Sequence, residues 1–177
     1  MTPTIDTRTI KKELPIFSTN ISQFQEPLKL AMEAILEEKE KNPIPMVSNV
    51  KANYVSDYSS HLFNPKFNQL IDLVLSFCEE VSKKYFSVDL KYKCYNCWGA
   101  IYESGDYTVN HNHFPSTFAA VVYLDVDETS APIIFEDELS VVPSKGSLIV
   151  FPAMLHHEVP KTNGRRVVVA MNIDHIS

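Results

Sequence analysis

Five of the six histidines in this 177-residue chain lie beyond residue 110: His111, His113, His156, His157 and His175. Of these, His111-Asn112-His113 has the spacing that can do chemistry. On a strand, residues i and i+2 project from the same face, so both imidazoles can converge on one point. A third ligand from a distant strand then completes a facial set of three on a metal ion and leaves coordination positions open. A polar strand end with two solvated histidines has the same spacing, so the motif alone leaves both readings standing.

A second pattern lies further along. Asn163-Gly164 is a strong two-residue hairpin signal between two strand-like runs. A two-residue turn there pairs Thr162 with Arg165, Lys161 with Arg166, Val159 with Val168 and His157 with Ala170. Directly opposed residues share a face. One face then carries His157, Val159, Arg166, Val168, Ala170 and Asn172, and the other His156, Glu158, Pro160, Arg165, Val167, Val169 and Met171. In that register His157 and Arg166 stand roughly 13 Å apart along the ladder, a gap that an arginine side chain plus a five-carbon diacid reaching a metal can span. Periodicity does not choose this face over its mirror pair, His156 with Arg165.

The elements that must position these residues change character near residue 90. Before it, Leu28, Ala31, Met32, Ile35 and Leu36 form one amphipathic helical stripe, with Pro27 in the first turn. Leu70, Leu73, Val74, Phe77, Val81 and Tyr85 form another, with Asn64-Pro65 as its cap and first position. Pro43 to Ser60 reads as an ordered connection. After residue 90, strands are expected over 91–103, 107–113, 118–125, 132–136, 146–151, 156–161 and 165–173. Gly105, Gly146 and Gly164 stand in the turns. Many short strands at this spacing indicate a sandwich or jelly roll.

Size and composition set the bounds. A 20.1 kDa chain that is 45% hydrophobic suits one domain with its own core. A formal charge of -6 disfavours nonspecific nucleic-acid binding. The longest apolar runs, such as 118–124, are too short to span a bilayer. Met1–Asp6 lacks the basic-then-apolar build of a secretory signal. A cytoplasmic protein is therefore expected. Three cysteines, Cys78, Cys94 and Cys97, fit reduced thiols. Cys94-Tyr-Asn-Cys97 is formally C-x-x-C, but it lies in an aromatic strand-like run, where packing is the simpler reading than redox or zinc chemistry.

The ordered set of H-x-H, a later His and an Arg beyond it resembles the signature of iron- and 2-oxoglutarate-dependent oxygenases. The match is to a prolyl-hydroxylase-like, poorly characterised branch, often phage or marine bacterial. The stretches that carry it are Leu14–Thr19, Ser48-Asn49-Val50, Ser56, Trp98, Gly105-Asp106-Tyr107, His111–Pro115, Phe118–Leu124, Pro143, Gly146–Pro152, His157-Glu158-Val159 and Arg166–Asn172. The resemblance implies a mainly β, α+β fold: a double-stranded β-helix (jelly-roll, cupin-like) core with N-terminal helices packed on one sheet. It implies one oxygenase domain over 1–177, with helical support before residue 91 and the metal site after it. His111, His113 and His157 would hold Fe2+, and Arg166 would grip the distal carboxylate of 2-oxoglutarate, since its planar fork binds carboxylates bidentately. Tyr102 and Tyr123 compete for a supporting hydrogen bond to that carboxylate, and Asn172 is placed near the pocket. The implied reaction consumes O2 and 2-oxoglutarate, releases succinate and CO2, and hydroxylates a C–H bond, with a protein or peptide proline as first candidate and ascorbate as reductant. A homodimer, and a host cytoplasm for a phage-encoded chain, are further expectations.

The chain departs from the pattern in places. His113 stands where most relatives have Asp, Val168 where many have a hydroxyl residue, Ala100 where Asn is expected and Ala119-Ala120 where Ser-Gly is. Asp106 is a remote source of a carboxylate, more simply a turn residue beside Gly105. A cupin-like three-His metalloenzyme without 2-oxoglutarate, and a non-catalytic jelly-roll binding module, remain as alternatives.

Overall fold

A computed structural model describes residues 13–176. Two antiparallel sheets face each other. The larger has the order β1-β9-β6-β11-β4-β3, and the smaller β2-β5-β10-β7-β8. In chain order the strands are β1 (Phe17–Asn20), β2 (Val50–Lys51), β3 (Tyr54–Val55), β4 (Lys91–Tyr102), β5 (Tyr107–His111), β6 (Phe118–Val126), β7 (Ile133–Phe135), β8 (Leu139–Val141), β9 (Ser147–Pro152), β10 (His157–Val159) and β11 (Arg166–Ile176). The helices are α1 (Gln25–Lys41), α2 (Ser60–Phe63) and α3 (Asn68–Tyr85). This is the jelly-roll architecture that the spacing of short strands indicates. Among the described residues, no helix is long and apolar enough to cross a membrane. The reading of Met1–Asp6 lies outside the described residues.

The helices cover one face of the larger sheet. Ala31, Ala34 and Ile35 of α1, with Leu70, Val74, Cys78 and Val81 of α3, pack on Ile101, Val122, Val150, Val167, Val169, Met171 and Ile173. The alternate residues of the same strands, among them Trp98, Ala100, Tyr102, Tyr123 and Val168, face the smaller sheet across a second core. Strand β11, flanked by β4 and β6, is thus covered on both faces. That is why 166–173 reads as an almost unbroken apolar run rather than an alternating one. The helical stripes hold at their centres and fray at their ends, where Leu36 and Tyr85 are exposed. Asn64-Pro65 opens a short 3-10 turn (Pro65–Phe67) that leads into α3, instead of capping α3 itself.

Two sequence expectations are corrected. The first 90 residues contribute strands as well as helices: β1 pairs with β9, β2 with β5 and β3 with β4. Edge strands this short carry little periodicity to detect. More consequentially, Asn163-Gly164 makes no hairpin. Strand β10 pairs with β5 and β7 in one sheet, while β11 pairs with β4 and β6 in the other. A type I′ turn needs positive φ at both central residues, and neither Asn163 nor Gly164 has it. The segment crosses between sheets, pinned by the Thr162 hydroxyl, which accepts the Ala131 N–H (3.0 Å) and donates to the Gly164 carbonyl (2.8 Å). Gly164 is required for space: a Cβ there would lie 2.6 Å from Thr129 Oγ1 and 2.9 Å from Asp127 Cβ.

Gly99 lets α1 dock on β4, since a Cβ at this position would lie 2.2 Å from Ile35 Cγ1 and 3.2 Å from its Cβ. Gly99→Ala is expected to lower stability by about 1–3 kcal/mol through overpacking. Urea denaturation checks this, and Ile35→Val in the same chain should recover part of the loss.

Candidate metal centre

His111 closes β5, and His113 follows in a loop held by its backbone N–H on the Ala153 carbonyl (2.7 Å). His157 opens β10 directly opposite His111. The ring centroids lie 4.4 Å apart for His111–His157 and 5.0 Å for both His111–His113 and His113–His157. One ligand atom from each residue falls within 4.8 Å of the others. Nδ1 of His111 meets the Val109 carbonyl at 2.8 Å, and Nδ1 of His157 the Leu155 carbonyl at 3.2 Å. A carbonyl only accepts, so in these two rings Nδ1 carries the hydrogen and Nε2 keeps its lone pair. Burial disfavours the charged form of all three. It pushes His157 down to about 3 and His113 to about 4, with neighbouring imidazoles adding to the effect, and it lowers His111 as well. Three neutral imidazoles converging behind Phe151, Phe135 and Trp98 make a set of nitrogen donors for a divalent metal.

A narrow cavity (≈ 60 Å³) runs inward from this cluster between the sheets, and Arg166 lines its walls together with Tyr102, Thr108 and Tyr123. Arg166 is only 2% exposed. Its guanidinium donates to the Ala131 carbonyl (3.0 Å) and lies 4.2 Å from the Tyr102 ring centroid and 6.0 Å from that of Tyr123. Its Nε is buried without a hydrogen-bond partner, and no carboxylate pairs with it among the described residues. Buried charges are ordinarily paired, because leaving one unpaired in a low-dielectric interior is costly. Arg166 therefore brings an unpaired cation into the cavity that the three histidines also line.

The structure chooses between the mirror pairs that periodicity leaves open. Arg165 points outward to Asp125 (2.9 Å) and Glu103 (3.3 Å), and His156 sits half-exposed beside Glu136. His157 and Arg166 do share a cavity, but they reach it from opposite sheets instead of along one ladder. The Tyr102 hydroxyl bonds Thr108 Oγ1 at 2.7 Å. Tyr123 is buried at the same end, its hydroxyl pushed up to about 12 by burial. Asn172 lies towards the outside, its Nδ2 donating to Asn96 Oδ1 (3.1 Å). Asp106 is a turn residue whose carboxylate accepts the Asn53 and Glu103 N–H groups. Cys94 and Cys97 are free thiols in β4, packed with the helix-facing core.

Sequence reasoning misses Thr108 and the Ala131 carbonyl. Thr108 stands three residues before His111, so simple alternation sends it to the other face. A bulge in β5 realigns it: His157 and Val159, two residues apart, oppose His111 and Thr108, three apart. Ala131 offers only a backbone carbonyl, which leaves no mark on the sequence.

No family model matches the chain, and no curated protein does. Solved structures do. A prolyl hydroxylase from Trichoplax adhaerens, in complex with a hypoxia inducible factor oxygen degradation domain peptide fragment, superposes with TM-score 0.66 at 12% identity, covering 90% of this chain and 83% of that one. A Pseudomonas putida prolyl-4-hydroxylase gives 0.62 at 16%, covering 91% and 92%. The 2OG complex of a viral collagen prolyl hydroxylase from Paramecium Bursaria Chlorella virus-1 gives 0.59 at 18%, covering 89% and 94%. At such identities the likeness is one of fold: the chain has the double-stranded β-helix of these hydroxylases, with helices packed on one sheet.

The neutral histidines carry a pH signature. Their folded pKa values lie below the ordinary value of about 6.5, so between that pH and about 4 the unfolded chain binds more protons. Stability of the metal-free protein should therefore fall as pH drops through this window. Zn2+ or Co2+ should raise the melting temperature at pH 7.5, by the equivalent of about 2.7 kcal/mol at a hundredfold excess over Kd, and progressively less below pH 6. Thermal melts across pH check this, and His157→Ala should abolish the metal-dependent gain.

Proposed function

We propose that this chain is an iron(II)- and 2-oxoglutarate-dependent oxygenase that hydroxylates a C–H bond of a protein or peptide side chain, with proline the first candidate. The observation that carries the reading is the Arg166 guanidinium, buried and without an acid partner, in the same cavity as three convergent neutral imidazoles. His111, His113 and His157 would hold the metal, and Arg166 would take one carboxylate of the cosubstrate through its fork. Iron with 2-oxoglutarate and O2 supplies the oxidising chemistry, releasing succinate and CO2 as the substrate is hydroxylated.

The protein's own part is positioning and exclusion of water. The carbonyls of Val109 and Leu155 set the tautomers of His111 and His157, presenting Nε2 to a metal. The Tyr102 ring and the Ala131 carbonyl hold the guanidinium plane, leaving Nε available to an anion. Phe135 and Phe151 pack against His157 and keep its inner side dry. The hydroxyls of Tyr102 and Tyr123 are the supporting donors for the same carboxylate. We further take residues 1–177 as one domain acting in the cytoplasm, with ascorbate as reductant and a homodimer as a candidate assembly. The place in a phage or marine branch rests on the sequence motifs alone.

The all-imidazole set, with no carboxylate in the cluster, also fits a three-His metalloenzyme that does not use 2-oxoglutarate. Arg166 separates the two. Under the oxygenase reading, Arg166→Met should weaken 2-oxoglutarate binding by about 2–5 kcal/mol, at least thirtyfold, while metal affinity stays within a few-fold of the parent. Anaerobic titration of the iron-loaded protein with 2-oxoglutarate, followed by its visible charge-transfer band, measures the first. Succinate formation under air measures turnover. Parent protein that binds metal but never 2-oxoglutarate overturns the proposal, and His111→Ala protein that still binds metal overturns the ligand set.

A further inference from the structure

An open groove (≈ 610 Å³) lies on the outer side of the triad and shares His111, His113 and Trp98 with the inner cavity. Its lining has one acid, Asp174, whose carboxylate accepts the Thr117 N–H (3.1 Å), and no lysine or arginine. Lys93, opposite Asp174 on β4, holds its ammonium 5.7 Å from the Tyr95 ring centroid and stays outside the lining. Such a lining offers an anion no lysine or arginine partner and suits a neutral ligand rich in hydrogen-bonding groups.

The chemistry of the groove is concentrated at a bulge in β4. Asn172 pairs with Asn96 and Ile173 with Cys94, so Tyr95 is an extra residue on β4. A bulge re-aims side chains, and here both Tyr95 and Asn96 line the groove. Asn172 Nδ2 donates to Asn96 Oδ1 (3.1 Å). Asn172 Oδ1 is buried with no partner among the described residues. The pair is left with an unused acceptor on Asn172 and an unused donor, Nδ2, on Asn96. A buried orphan acceptor is costly, and the cost calls for an explanation. Asn172 itself lines the groove, and the terminal torsion of an asparagine is broad, so rotation about it can bring that oxygen to a ligand there. Asn172 is six residues from Arg166 on the same face of β11, roughly 20 Å along the strand, so it serves the opposite end of the site from that cation.

We propose that Asn96 and Asn172 form a specificity subsite that reads an amide group of the primary substrate. The substrate N–H donates to Asn172 Oδ1, and its carbonyl accepts from Asn96 Nδ2. The proposal rests on the oxygenase reading for the identity of the groove as the substrate site. An ester offers the carbonyl without the N–H, and a carboxylate sets its charge against Asn172 Oδ1, so both bind more weakly.

The test compares N-acetylprolinamide with N-acetylproline methyl ester on the full chain. Side-chain amide signals of the 15N-labelled protein and the fluorescence of Trp98, the single tryptophan, report binding. The expected result is about tenfold tighter binding of the amide, with shifts in the Asn96 and Asn172 signals. Asn172→Leu should bring the amide down to the affinity of the ester. Equal binding of the two probes to the parent protein, or shifts that spare both asparagines, overturns the subsite, and neither outcome depends on how the variant folds. Failure of 2-oxoglutarate to bind while the amide preference persists overturns the oxygenase reading and leaves the subsite standing.

Discussion

Arg166 carries a permanent charge into a space between two sheets where water hardly reaches it. Taking a cation out of water is costly, and the compensation from one carbonyl and the face of one tyrosine is partial. The surrounding fold is arranged around that cost. β11 runs between β4 and β6 so that Arg166 is held from both sides, with Tyr102 opposite it on β4 and Val126 on β6. The helices seal the far face of the same sheet. Arg166, its Nε unsatisfied, lines the cavity that leads to the histidines. The interior is polarised, with a fixed cation at its closed end and neutral nitrogen donors at its open end.

Both ends of this site depend on irregularities in otherwise regular strands. The bulge in β5 brings Thr108 to the face of His111, where it holds the Tyr102 hydroxyl beneath Arg166. The bulge in β4 turns Tyr95 and Asn96 together onto the outer groove. A regular strand offers one side chain to a given face every second residue. Two bulges let β4 and β5 place neighbours there that strict alternation would have separated.

Three imidazoles without a carboxylate make a less negative site than two imidazoles and an aspartate. The two ligand types differ in how they become ready to coordinate. A carboxylate is charged near neutrality in most settings, whereas a histidine must be neutral. Here burial keeps His113 and His157 neutral well into the acid range, and main-chain carbonyls set the tautomers of His111 and His157. The three imidazoles are thus already in the protonation state that a metal would require, and part of the cost of that is instability in acid.

Much was legible in the chain itself, because strand periodicity and side-chain chemistry are local properties. The two long helices follow their apolar stripes, and Arg166 has the same parity as Val168, Ala170 and Asn172. By contrast, β5 ends at His111, and His113 joins it from the following loop and not by the two-residue repeat. Local rules stop at the partner of each strand. Asn163-Gly164 has the composition of a tight hairpin, yet the segment crosses between sheets. The reason is tertiary: β4 and β6 occupy the two edges of β11, and β5 and β7 those of β10, leaving no edge through which β10 and β11 could pair. The expected hairpin register put His157 and Arg166 on one face of one ladder, and that ladder does not form; the packing of the two sheets is what makes both residues look into one cavity. Thr108, Asn96 and the carbonyl of Ala131 joined the site through bulges and backbone positions, which sequence periodicity does not encode.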